Sequence, residues 1–198
     1  MVDRSAFEPA ACERCPALVE CRSRIVNGVG PIDADVLFVG EGPGAQEDAE
    51  GEPFVGRSGG VLDEQLRAAG LDRETVRITN CVKCRPPENR DPRAEERANC
   101  RPYLEAEIEA VDPAVLVTLG KVPSEHLLGR SVPITKVAGT LEEVRIAGTP
   151  RRVLLSLHPA ATLYDRTQLD TFVETIERAA ALSGVSTEGG GQSRLGQF

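Results

Sequence analysis

The chain has 198 residues and a formal charge of −8. That length builds one domain with a real core. No apolar run reaches the roughly eighteen residues of a membrane-spanning helix. The start, "MVDRSAFEPAACERC", lacks the apolar stretch of a secretory signal, so a cytoplasmic protein is expected. In that reducing compartment, six cysteines argue for a metal or cluster rather than a disulfide framework. The negative charge by itself argues against a nucleic-acid partner, but it is unevenly spread. Five arginines and one lysine lie between Lys83 and Arg101, and the whole chain has three lysines against twenty arginines. A salt-rich cytoplasm and a GC-rich genome both produce that bias.

In chain order, the first predicted strand is "DVLFVG" (Asp35–Gly40), which runs into "GEGPGAQED". The apolar stripe Val61, Leu62, Gln65, Leu66 and Ala69 predicts a helix, capped by Gly70. "VRITN" (Val76–Asn80) is the second strand. Leu104, Ile108 and Val111 predict another helix, and "VLVTLG" (Val115–Gly120) is the third strand. A short helix starts near Pro123. Thr140–Ile146 predicts an extra strand, turning at Gly148–Pro150 into the fourth run, "RVLLSLH" (Arg152–His158). Phe172, Val173, Ile176 and Ala180 predict the last helix.

The near-continuous apolar runs suit strands buried on both faces. With helices between them, they predict an α/β fold: three layers, α/β/α, around a central, mostly parallel four-stranded sheet. Residues 1–182 form the expected domain. Residues 183–198 are Gly/Ser-rich and read as a flexible tail.

Each strand ends in polar or glycine-rich residues: Gly40–Gly44, Asn80, Gly120–Lys121 and His158–Pro159. Ligand crevices of open α/β sheets lie at the carboxyl ends of the strands, so an active site is expected there.

Cys12 and Cys15 form one C-x2-C pair, and Cys81 and Cys84 a second. If Asn80 faces the crevice, the strand period of two turns Cys81 the other way, into the core. The predicted ligand set is therefore Cys12, Cys15, Cys84 and Cys100. Four thiolates suit either Zn²⁺ or a [4Fe–4S] cluster, and spacing does not choose between them. Ligation at Cys84 would anchor the loop "RPPENRDP", which two prolines already stiffen.

"GEGPGAQEDAEGEPFVGRSGG", "NCVKCRPPENRDP" and "LHPA" together resemble the family 4 uracil-DNA glycosylases, iron–sulfur members of the uracil-DNA glycosylase superfamily. The resemblance covers about Cys12 to Ala181 and implies that the four chosen cysteines hold a [4Fe–4S] cluster. It also implies hydrolytic removal of uracil, flipped out of DNA into a pocket that reads its edge. On this resemblance Asn80 reads the base and Phe54 stacks on it. His158 stabilises the departing anion, and Asn89 positions the water. Glu41 and Gly42, after Gly40, shape the pocket floor, and Glu41 also favours the cationic sugar.

No lysine sits where an amine nucleophile is expected, so the enzyme is expected to be monofunctional. Arg57, Arg85 and Arg90 are the expected DNA contacts, and Leu163 or Tyr164 is the candidate wedge. The family has a serine where Ala160 stands, so its contact to a DNA phosphate is not carried over. Two other readings compete: a non-catalytic iron–sulfur DNA-binding module of the same fold, and a relative that traps the abasic sugar. The second needs a basic loop with a histidine, and His126 lacks that setting.

The tail ends "QSRLGQF". Gln192, Leu195 and Phe198 have the spacing of a motif that plugs into the sliding clamp, proliferating cell nuclear antigen, without its usual second aromatic. A monomer tethered to the clamp by a flexible linker is the expectation.

Overall fold

The computed structural model describes residues 4–163 and 165–184. Tyr164, Gln192, Leu195 and Phe198, the other wedge candidate and the clamp motif, lie outside the described residues.

The elements run α1 (Pro16–Cys21), β1 (Val36–Gly40), α2 (Ala45–Glu50), α3 (Arg57–Ala68), β2 (Arg77–Asn80), α4 (Ala94–Val111), β3 (Val115–Leu119), α5 (Lys121–Leu128), α6 (Ile134–Val137), β4 (Leu141–Ile146), β5 (Thr149–Ser156) and α7 (Arg166–Leu182). Strand order is β2-β1-β3-β5-β4, parallel except for β4, which runs antiparallel to β5. The sheet therefore has five strands rather than the four expected. The hairpin strand joins it at the edge because the tight turn at Ala147 and Gly148, both at positive φ, lays it directly against β5. That turn falls a residue earlier than expected, so β5 begins at Thr149 and Pro150 pairs with Arg145.

Alternation along the strands builds the two faces. Val36 and Phe38 of β1 pack with Leu62 and Leu66 of α3 and with Phe172 and Ile176 of α7. Leu37 and Val39 face the other way, toward Leu104 and Ile108 of α4 and Leu127 of α5. These are the three layers expected. Each fully buried side chain of this size contributes about 1.5–3 kcal/mol relative to exposure. Cys81 is buried among the second set, on the opposite face from Phe54 and Ile78. Burial pushes its thiol up to about 12, so it behaves as a small apolar side chain.

β2 contains a feature that apolar patterning hides. Arg77 is 1% exposed, and its Nε donates to Oε1 of Glu107 on α4 at 2.8 Å. Lys83 donates to the other carboxylate oxygen at 2.7 Å, as does the Thr79 hydroxyl at 2.8 Å. Burial by itself would raise the Glu107 carboxyl, but the Lys83 and Arg77 cations outweigh it and hold the carboxyl below its ordinary range. Arg77 also reaches Glu8 and the Gly30 carbonyl, so the N-terminal segment, β2 and α4 share one buried charge network.

Candidate active site

The chain leaves β1 for β2 on one side and later returns to β3 on the other, so β1 and β3 flank the topological switch point. A cavity of about 190 Å³ opens at the carboxyl ends of the strands, lined by Gly42, Gly44, Glu47, Phe54, Ser58, Asn80 and His158. Asn80 and His158, contributed by the ends of β2 and β5, thus meet in one cavity with Phe54.

Asn80 is 2% exposed, and its Oδ1 has no hydrogen-bond partner. A buried acceptor left unmade costs about 1–3 kcal/mol, so the site is built to receive a donor. Gly40 is its register partner on β1. A Cβ at Gly40 would collide with Asn80 Oδ1 and with the Phe54 ring. At Gly42 a Cβ would come 2.7 Å from a Val82 methyl. Both glycines therefore keep the cavity floor thin.

Phe54 has φ +56°, the left-handed region that bulky residues avoid. Glu47 clamps the turn that carries it. Its Oε1 accepts the Val55 and Gly56 N–H groups at 3.2 and 3.0 Å, while Oε2 accepts the Gly44 N–H at 3.1 Å. One carboxylate thus ties the glycine loop after β1 to the aromatic turn. Ring centroids of Phe54 and His158 lie 5.9 Å apart, tilted by 33°.

His158 Nδ1 accepts the Ala160 N–H at 3.1 Å. That bond fixes the tautomer: the neutral ring carries its proton on Nε2. Burial pushes the imidazole below its ordinary value, against an opposing pull from Glu47. Gly120, at φ +108°, presses on the other side of the ring, where a Cβ would sit 3.1 Å from that of His158.

Glu41 and Asn89 occupy an adjoining cleft of about 90 Å³ that shares Gly42 and Gly44 with the main cavity. Asn89 ends a 3₁₀ turn, Pro87–Asn89, and its Oδ1 accepts from Arg85 Nε at 2.7 Å. Glu88 and Asn89 both have positive φ, so this turn is strained and tied down. Burial and the neighbouring Asp91 raise the Glu41 carboxyl to about 7.

Cys12, Cys15, Cys84 and Cys100 line one small pocket together with Arg14, Arg22 and Lys83, and Cys21 and Cys81 do not. Arg22 Nη1 donates to Cys84 Sγ at 3.0 Å, and Asn99 Nδ2 to Cys15 Sγ at 3.6 Å. Among the described residues no three Cys, His, Asp or Glu side chains converge on a single-ion site. The four thiols, with Arg22 and Asn99 donating to sulfur, are a donor set that could hold either a thiolate-ligated metal cluster or one Zn²⁺. Burial raises the Cys84 and Cys100 thiols, the latter to about 11, so ligation there would release protons.

The N-terminal segment that carries Cys12, Cys15 and α1 is also tied to the main cavity by ordinary hydrogen bonds. Asp48 of α2, next to Glu47, accepts the Ser23 N–H at 2.8 and 2.9 Å.

Leu163 is 37% exposed and ends the 3₁₀ turn Pro159–Leu163 that follows His158. Arg57 is exposed at the start of α3. Arg90 forks onto the Glu96 carboxylate at 2.8 and 2.6 Å, so its charge is met within the protein.

Sequence reasoning did not single out Glu47 or Ser58, and gave Gly44 only as part of the glycine-rich stretch after β1. The only local trace of Glu47 is its place three residues after Gly44 at a helix start, the spacing of a capping pair.

The model of the uracil DNA glycosylase superfamily matches residues 27–180. The type-4 uracil-DNA glycosylase of Thermotoga maritima is 44% identical over 171 residues, covering 85% of this chain and 87% of that protein. That of Archaeoglobus fulgidus is 42% identical over 167 residues, covering 82% and 83%. A type-5 uracil-DNA glycosylase of Pyrobaculum aerophilum is 32% identical over 205 residues, covering 87% and 89%. The chain belongs to the uracil DNA glycosylase superfamily, among its type-4 members.

Proposed function

We infer that the chain is a monofunctional uracil-DNA glycosylase, which flips uracil from DNA and hydrolyses its N-glycosidic bond. The observation that carries this reading is the partnerless, buried Oδ1 of Asn80 in a base-sized cavity beside His158.

Uracil offers an N3–H donor next to the O4 acceptor. Asn80 Oδ1 accepts the first and its amide N–H donates to the second. Cytosine reverses both groups and leaves two buried polar pairs mismatched. Phe54 stacks on the base. As the glycosidic bond breaks, charge builds on uracil O2, where His158 donates its Nε2–H. A neutral donor already oriented by Ala160 needs no reorganisation as that charge forms. Water attacks the sugar from the adjoining cleft, where Asn89 holds it and the Glu41–Asp91 carboxyl pair offsets the sugar's positive charge; the proton that the water gives up neutralises the released uracil anion.

Cys12, Cys15, Cys84 and Cys100 would hold a [4Fe–4S] cluster. Bound there, it would tie together the N-terminal segment, the loop after β2 and α4, without a role in the hydrolysis. DNA is gripped through Arg57 and Arg85, Arg90 being held on Glu96 and left to position the loop, and Leu163 fills the gap left by the flipped base. The spacing of Gln192, Leu195 and Phe198 supports a sliding-clamp contact made by a monomer.

The test is incubation with matched oligonucleotides containing one uracil or one cytosine. Free uracil and an abasic strand that breaks only on heating in alkali are expected, with no cytosine released. Absence of free uracil would overturn the reading.

A further inference from the structure

We propose that Arg73, outside the cavity, is a positioning residue that locks Phe54 into the strained conformation used to stack the base; the proposal rests on the function inferred above. Arg73 lies in the loop between α3 and β2. Its guanidinium donates from Nη1 to the Pro53 carbonyl at 3.0 Å and from Nη2 to the Phe54 carbonyl. Its Nε donates to Asp63 of α3 at 2.7 Å.

The relation to Glu47 is what gives these bonds meaning. On the cavity side, the Glu47 carboxylate takes the N–H groups of Val55 and Gly56. On the far side, the Arg73 guanidinium takes the carbonyls of Pro53 and Phe54. Two opposite charges thus grip the donors and acceptors of four successive residues. Between them sits an aromatic residue at φ +56°, in a region that Phe leaves unless its surroundings hold it.

α3 contributes twice. Asp63 holds the guanidinium, and Gly59 lets the helix pack onto the Phe54 backbone, where a Cβ would clash with its carbonyl. A fork that serves two carbonyls and one carboxylate is arginine chemistry; a lysine ammonium cannot keep that planar arrangement. Without the fork, Phe54 relaxes toward negative φ and its ring leaves the stacking plane.

The test is a double-mutant cycle of Arg73→Met and Phe54→Ala, with Arg73→Lys as the conservative variant, read by single-turnover uracil release and by melting temperature. Arg73→Met is expected to slow release by about tenfold or more, the scale of one lost base–aromatic stack. Arg73→Lys is expected to restore only part of that. In the Phe54→Ala background Arg73→Met should have no further effect, because its target is gone. Equal slowing in both backgrounds would overturn the latch and leave a general stability role. If Phe54→Ala does not fold, Phe54→Leu takes its place in the cycle. A wild type that releases no uracil would sink the inferred function; a wild type matched by Arg73→Met would sink the latch alone.

Discussion

Gly40 and Asn80 are register partners at the carboxyl ends of β1 and β2, and the missing side chain of the first is the space into which the second's Oδ1 projects. Selectivity is thus set by a backbone position as much as by the amide. Gly40→Ala is expected to push Asn80 and Phe54 out of place together. Uracil release should fall by about 100-fold, the usual cost of a misplacement near 1 Å. Circular dichroism should show the fold intact. Release at the wild-type rate would contradict this packing.

Glu41 predicts a pH dependence of stability. Its carboxyl has an ordinary value of 4.5 and is raised in the fold to about 7 by burial and by Asp91. The folded state therefore holds the extra proton between those values. The stabilising contribution is fully present below 4.5 and is lost as pH rises through about 7. Glu41→Gln keeps a neutral group beside Asp91 at every pH. Its melting temperature should gain on the wild type as pH rises from about 5 to about 8. A constant difference across that range would refute the assignment.

The cysteines separate by role. Cys84→Ala is expected to abolish bound iron and the visible absorption of an iron–sulfur cluster. Cys81→Ala should keep both and lose only the packing of a small buried side chain, about 1 kcal/mol. Analysis for iron, sulfide and zinc decides the metal at the same time. One zinc per chain, lost in Cys84→Ala, would replace the cluster with a mononuclear site.

Much of this was legible in the sequence for identifiable reasons. Strands buried on both faces read as unbroken apolar runs, so "DVLFVG" and "VLVTLG" fall close to β1 and β3. The same period of two placed Cys81 in the core and left Cys84 free to join the other three thiols. The roles proposed for Phe54 and His158, by contrast, rest on resemblance, because a lone Phe or His has no local signature.

What stayed hidden depends on partners distant in the chain. Arg77 looks like an interruption of a strand until Glu107 is seen thirty residues away. Arg73 looks like a solvated loop charge until the carbonyls of Pro53 and Phe54 meet it. α1 and α2 have six residues each, too few turns to show a stripe.

The proposed chemistry requires the Asn80 amide and the Nε2–H of His158 to act on one everted uracil. Single-turnover release from a uracil-containing oligonucleotide by Asn80→Ala and His158→Ala tests it most directly. Each variant is expected to keep the wild-type fold and to lose at least about 100-fold in rate, the scale of one removed transition-state donor. Full rate in both folded variants would mean that neither group acts on the base.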